Sequence, residues 1–422
     1  MLQLDRCCVY ILMLGLALLI PSIVYITYLD ELSAMLFGSI AILDCIFNNN
    51  WKKYKLLWII MSIMTFYAIY SLFFLKFNIP IAIIKDWVIE LKPFVPFIVV
   101  FAIGVKLTPT DKKIISRICL FNGGILSILF FFGTKIVNMV VFHPTYGGLI
   151  IIISVLFFLY CSIRPDGTIQ KDNITISVVF LVCGLLCARS KYYAIFVLAI
   201  YFLFIYKPGM LKGFSFKHLL TLLVIITLII AVSWHKIQYY FITGNSDSFD
   251  PEVVQSFARP VLYFTAFQIF IDFIPFGSGL ASFASYPSSE FYSGVYGYYG
   301  IDKVYGIAPS DEFTFICDAY YPTLAQFGII GIILFSWFWI YTYKYIKYLI
   351  RLKPALCRYE YIIGSLILSD MLIENVGATT FTQTSGMLCM ILYGIIAAKG
   401  KSLFQHEHFI ESSIHQKKKI II

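Results

Sequence analysis

The chain has 422 residues, of which 60% are hydrophobic and only 13% charged, and its mean hydropathy is +0.85. That is too little polar surface to cover a water-soluble globule, so its main solvent is lipid. A net charge of +9 would suit nucleic acid, but the lysines and arginines sit beside apolar runs, where anionic headgroups are the expected neighbours. No dinucleotide fingerprint, Walker-type Gly-x4-Gly-Lys-Ser/Thr or His-Glu-x-x-His occurs, which removes support for nucleotide-driven transport and for zinc proteolysis.

Taken in chain order, apolar runs long enough to cross a bilayer fall near 8–28, 32–47, 56–75, 92–106, 114–133, 137–162, 173–188, 191–206, 217–234, 322–343, 358–375 and 378–398. The first has no small-x-small cleavage site and leads directly into the second, so it is expected to be retained. Residues 1–234 thus hold nine spans, 235–321 a long loop, 322–398 three more spans and 399–422 a basic tail. Basic residues mark alternate connections: Lys52, Lys53 and Lys55; Lys106, Lys112 and Lys113; Arg164 and Lys171; Lys207, Lys212 and Lys217; Lys344 through Arg358. The positive-inside rule assigns these, and both termini, to the cytoplasm. The long loop, with nine acidic residues against three basic, belongs to the opposite face.

Nine of the ten cysteines lie in or beside spans and only Cys317 in the loop, so no disulfide framework, metal or other cofactor is implied. Cys183 and Cys187 share a helical face, where small lipid-buried hydrophobes are the plain reading. Within the loop, Thr243 to Ser248 reads as a turn. Glu252 to Phe273 then reads as a helix lying on the membrane surface, with Val254, Phe257, Val261, Phe264, Phe267 and Ile271 near one stripe. The Gly- and Tyr-rich stretch that follows, with Tyr292 and Tyr296, fits either an interfacial aromatic belt or a platform on which sugar rings stack.

Several charged groups stand on the outer face. Arg189 and Lys191 flank a very tight turn and disobey the charge bias, which suits either an anionic-headgroup or diphosphate ligand or a snorkelling pair. Arg259, beside Pro260, is the only arginine of the long loop and a second phosphate-ligand candidate. His143 is expected one to two turns inside its span, as a substrate contact or a satisfied buried histidine. Asp370 and Glu374, four apart, share a helical face, with a functional and a simple ion-pairing reading both open.

Three segments in order, Ala188-Arg189-Ser190-Lys191, then Arg259 followed by Phe276-Gly277-Ser278-Gly279, then Asp318-x9-Gly328-x-x-Gly331, resemble the O-antigen polymerase and ligase superfamily of bacterial inner membranes. The likeness in layout spans most of the chain; the sharp motifs are confined to 142–195 and 255–335. It implies an all-α polytopic membrane protein of about twelve transmembrane helices with one large periplasmic loop containing an interfacial helix. The ligase branch has a histidine followed by Asn, Ser or Gln where this chain has Cys317 and Asp318, which counts against ligation. Tyr292, Tyr296, Ser310-Asp311 and Cys317 through Pro322 look like the polymerase branch.

The resemblance therefore implies a glycosyltransferase that joins undecaprenyl-diphosphate-linked repeat units into O-antigen or capsular polysaccharide at the periplasmic face. Nucleotide sugars and nucleic acid are not expected as partners, whereas a chain-length regulator and a flippase are partners it admits. On this reading Arg189 and Arg259, with Lys191, neutralise the leaving diphosphate, and Asp318 is the first choice of base. Asp311, Glu312 and Glu374 stand in reserve, and His143, Tyr292 and Tyr296 are further substrate contacts. The rival readings are an O-antigen ligase and a lipid-linked oligosaccharide flippase; no internal repeat of the kind many transporters carry is evident.

Overall fold

A computed structural model describes residues 3–207 and 257–420, with Thr227, Ala231, Trp234 and Gln238 as isolated positions between them. Among the described residues every regular element is helical and no strand occurs. Five stretches are long and apolar enough to cross a membrane: Trp51–Leu75, Pro109–Phe131, Pro144–Cys161, Tyr321–Leu352 and Thr384–Glu407. The chain is a helical membrane protein. The span expected at 217–234 and the turn at 243–248 lie outside the described residues.

The helices run α1 (Leu4–Ala17), α2 (Leu19–Ser22), α3 (Leu29–Asn48), α4 (Trp51–Leu75), α5 (Pro80–Leu91), α6 (Phe94–Ile103), α7 (Pro109–Phe131), α8 (Thr134–Val141), α9 (Pro144–Cys161), α10 (Lys171–Gly184) and α11 (Ser190–Ile205). After the long connection come α12 (Ala258–Asp272), α13 (Tyr286–Glu290), α14 (Gly294–Tyr298), α15 (Tyr321–Leu352), α16 (Arg358–Glu374) and α17 (Thr384–Ile420). Elements α4, α11 and α15 include short 3-10 or π segments at their ends.

Local chemistry sets several boundaries. Thr108 caps α7 through a reciprocal box with Asp111, and Pro109 occupies the first turn, where its missing N–H costs nothing. Pro144 divides the single span expected at 137–162: the residue before a proline avoids the helical region, so His143 is extended (φ −151, ψ 140) and becomes the N-cap of α9. His143 therefore stands at the mouth of its span, not one to two turns inside it. Helix α17 runs on through the expected basic tail at 399–422 as far as Ile420.

The core lies around α6, α9 and the first half of α17. Residues 147–159 of α9 are buried without a break, and α6 is apolar on every side from Phe94 to Phe101. A helix apolar all round is one surrounded by other helices. Around them pack α1, α3, α7, α10, α15 and α16, whose outer faces expose residues such as Met35, Phe131 and Ile340 for lipid to cover.

The long connection folds into a smaller core of its own, built on Leu262, Ile269, Phe283, Val295, Tyr296 and Ile316. Its helix α12 buries Ala258, Val261, Leu262, Thr265, Ala266 and Ile269, while Phe264, Phe267 and Ile271 stay exposed. The single stripe expected from the spacing is thus divided, with Val261 inward and the phenylalanines outward. Two glycines join this unit to the spans. A Cβ on Gly277 would stand 2.3 Å from the Gly328 nitrogen, and one on Gly328 would stand 2.4 Å from the Gly277 nitrogen, with both at positive φ (77° and 60°). Only glycine allows that approach.

Candidate functional site

Five elements meet at one end of the helical core. The tight turn between α10 and α11 forms because Ala188 takes a left-handed conformation (φ 54), after which Arg189 is extended and caps α11. A left-handed non-glycine residue carries a conformational cost, so the surroundings must hold it there. The N-termini of α9 and α11 both open here, and helix N-termini attract anions. Placing Arg189 and Lys191 at such a terminus sets cation beside partial positive charge. The arrangement repels cations and favours an anion.

Each cation has a distinct partner. Lys191 Nζ lies 2.7 Å from Glu374 Oε2 and also donates to the Gly377 carbonyl at 3.1 Å. Arg259, from the first turn of α12, forms an ion pair with Asp318. Arg189 alone of the three contacts a histidine: its Nη2 is 2.8 Å from His143 Nε2. Guanidinium has only donors, so Nε2 must be the unprotonated nitrogen and the ring is neutral. The Thr145 N–H also points at Nδ1, at 3.3 Å. A neutral ring has one lone-pair nitrogen; with it on Nε2 facing the shorter Arg189 contact, Nδ1 carries the proton and the Thr145 N–H approach is a close contact, not a hydrogen bond. Arg189 Nε is buried with no hydrogen-bond partner among the described residues.

Electrostatics agree with a neutral ring. Burial, and next the charge of Arg189, hold the His143 imidazole below the usual histidine range, against an opposing pull from Asp318, and Lys191 and Arg259 push the same way as Arg189. All four groups therefore lie within electrostatic reach of His143. The Tyr146 hydroxyl, one turn into α9, faces Gln383 at the start of α17.

Backbone stitching holds the loop against the spans. Tyr263 donates its hydroxyl to the Val376 carbonyl at 2.8 Å, Tyr321 donates to Leu372 O at 2.7 Å, and the Tyr320 N–H reaches Asn375 O at 3.1 Å. The C-terminal end of α16 is thereby tied to α12 and to the segment just after Asp318. Cys317, next to Asp318, has its thiol pushed up to about 11 by burial and then by the charge of Asp318. Such a thiol is a poor nucleophile.

Of the residues singled out from sequence, His143, Arg189, Lys191, Arg259, Asp318 and Glu374 come together here. Asp370, one turn before Glu374, is fully buried, and neither carboxyl oxygen has a hydrogen-bond partner among the described residues. The others belong to the loop unit and not to this cluster. Tyr296 is 0% exposed, its hydroxyl 2.7 Å from Ser288 Oγ and 3.0 Å from the Ala284 N–H, so it presents no ring face to a sugar. Tyr292 packs on it with ring centroids 5.3 Å apart. Asp311 accepts the Gly306 N–H at 2.6 Å, and Glu312 is exposed beside it.

Sequence reasoning missed a second acidic pair. Asp86 and Glu90, four apart on α5, are both buried; Asp86 accepts the Ala281 N–H at 2.6 Å and Glu90 accepts the Tyr320 hydroxyl at 2.9 Å. They anchor the Gly277–Ser285 stretch and the segment after Asp318. Their spacing was the available signal, the same one that drew attention to Asp370 and Glu374.

The site offers a cationic mouth at a membrane face, two cation–carboxylate pairs and one guanidinium whose charge no carboxylate among the described residues cancels. No protein-family model matches the chain, and no curated protein does.

Proposed function

We propose that the chain is a polysaccharide polymerase of the bacterial cytoplasmic membrane, with about twelve spans and both termini inside. It joins undecaprenyl-diphosphate-linked oligosaccharide repeat units at the outer face, yielding O-antigen or capsular polysaccharide. The observation that carries this reading is Arg189, a guanidinium at a helix N-terminus whose buried Nε–H has no partner among the described residues and which has a neutral histidine beside it. A membrane-facing anion that takes two hydrogen bonds, such as a lipid diphosphate, fits that fork.

The reaction follows from the pairings. The leaving diphosphate binds Arg189 and draws Arg259 away from Asp318. The freed carboxylate then accepts the proton of the attacking sugar hydroxyl, a bond forms from that oxygen to the anomeric carbon, and the bond from that carbon to the phosphate oxygen breaks with its electron pair leaving on the diphosphate. Attack comes from the face opposite the diphosphate. Because both saccharides arrive on lipid anchors, positioning supplies much of the rate. Lys191, held by Glu374, adds positive field without having to move.

The test is the size distribution of surface and lipid-linked glycans in a deletion strain complemented with wild-type or Arg189→Ala protein. The expected result for both the deletion and Arg189→Ala is surface glycan of single repeat units, with the variant at wild-type abundance in the membrane. Wild-type chain lengths with Arg189→Ala remove Arg189 from the mechanism. In the deletion strain, full-length polymer stranded on its lipid carrier identifies a ligase, and single units trapped on the cytoplasmic side identify a flippase.

A further inference from the structure

A second polar feature lies at the other ends of the same helices. A cavity of about 770 Å³ opens among the N-terminal half of α7, the C-terminus of α9, the start of α10, and the facing parts of α16 and α17. Helix α9 has 18 residues, so its two ends are roughly 27 Å apart at about 1.5 Å per residue. The cavity at Cys161 is therefore on the membrane face opposite His143 and Arg189.

Its charged lining is Lys112, Lys113, Arg117, Arg164 and Lys399 against the single carboxylate of Glu360. Two of these cations have internal partners. Lys399 pairs with Glu360, and Lys112 donates to the Ile163 carbonyl at 3.2 Å and lies 5.8 Å from the Tyr160 ring centroid. Lys113 and Arg117 are exposed, and neither has an ion-pair partner among the described residues. Five cations around one half-enclosed space repel each other unless an anion joins them. Gln170 and Asn173, at the start of α10, add neutral donors, and Leu107, Phe158 and Leu356 supply an apolar wall.

Glu360 narrows the ligand class further. It is 3% exposed, and its Oε2 has no hydrogen-bond partner among the described residues. A bare phosphate leaves that acceptor unpaired and adds repulsion, whereas a ligand carrying a hydroxyl next to its phosphate satisfies both. The cavity volume suits a small organic group, and basic pockets between membrane helices are where anionic headgroups bind. We propose that this cavity binds the headgroup of a phosphatidylglycerol-type lipid, with phosphate on Lys113 and Arg117, glycerol hydroxyl on Glu360 and the chains leaving along the apolar wall. The proposal does not depend on the reaction at the opposite face.

The test uses the full chain in zwitterionic detergent, titrated with short-chain phosphatidylglycerol, phosphatidate, phosphatidylcholine and inorganic phosphate, with binding read by native mass spectrometry and thermal shift. Phosphatidylglycerol is expected to bind tightest, and Lys113→Gln with Arg117→Gln to weaken it roughly 10- to 30-fold. Both residues are exposed, so the double variant keeps the fold, which its unliganded melting curve checks. Glu360→Gln in place of the double variant is expected to shrink the preference for phosphatidylglycerol over phosphatidate. Phosphatidylcholine binding equally well, or the double variant binding like wild type, overturns the site. Inorganic phosphate competing at the same concentration as the lipid overturns the lipid assignment in favour of a soluble phosphate ligand.

Discussion

Removing the Lys191 ammonium while keeping its length, as Lys191→Met, leaves Glu374 at 2% exposure with no counter-charge and Asp370 at 0% one turn away. The Nζ to Oε2 distance is 2.7 Å, and the two side chains are 20% and 3% exposed, so solvent screens little of the loss. Breaking a buried pair from one side typically costs about 3–5 kcal/mol; the part-exposed lysine places this case near the lower figure, about 3 kcal/mol. Glu374→Gln should cost less, about 1 kcal/mol, because Lys191 retains the Gly377 carbonyl and can reach water. If the pair is the origin of both losses, the double variant should sit near about 1–2 kcal/mol, leaving a coupling of about 2–3 kcal/mol. Equilibrium unfolding in mixed micelles of all four proteins measures it. Additivity within about 0.5 kcal/mol would show that the two side chains are not energetically paired and would refute the reasoning.

Three other outcomes follow from the geometry. Asp318→Asn keeps size and some hydrogen bonding but deletes the charge that Arg259 holds, and should reduce polymer to single repeat units at unchanged protein abundance; full-length polymer in that variant rules out a required base there. His143 is held below the usual histidine range, by burial first and then by Arg189, so the contact to Arg189 is intact above about 6.5 and is lost as pH falls through the lower folded value. In vitro polymerisation should show an acid limb that His143→Gln, which keeps an acceptor, removes, and an identical limb in both proteins would separate His143 from the pH dependence. Gly328→Ala puts a Cβ 2.4 Å from the Gly277 nitrogen at φ 60, ψ −161, a region that is essentially glycine-only, and should cost at least about 2 kcal/mol, seen as reduced protein in the membrane fraction, whereas Gly297→Ala, with open space around it, should not.

The parts legible in the sequence are those where a residue violates its surroundings. Arg189 and Lys191 break the charge bias of their membrane face, Asp370 and Glu374 are carboxyls in an apolar run, and His143 precedes a proline inside a hydrophobic stretch; each of these is a local anomaly. Which anomaly meets which was not legible, because Lys191 to Glu374 and Arg259 to Asp318 are contacts 183 and 59 residues apart along the chain. Helix limits were blurred for a related reason. In a helix such as α9 nearly every residue is apolar, so no periodic contrast marks its faces, and the break at His143 depends on one proline. The burial of Tyr296 was not legible because an aromatic residue has the same signature in a stacking platform as in a small core.

On the proposed reading, the differing partners of the three cations explain how one site binds an anion and still folds. A cluster of unpaired cations beside two helix N-termini would cost stability in the empty protein, and carboxylates on all of them would leave nothing for an anion to bind. Here Lys191 is neutralised by a buried glutamate that it has no reason to leave. Arg259 is neutralised by Asp318, a partner 35% exposed and therefore open to exchange for a competing anion. Arg189 is restrained in direction by His143 without losing its charge, since a neutral imidazole accepts a hydrogen bond and contributes no counter-ion. Replacing His143 by a carboxylate would stabilise the empty site and block it, which is why a histidine held neutral is the residue that suits this position.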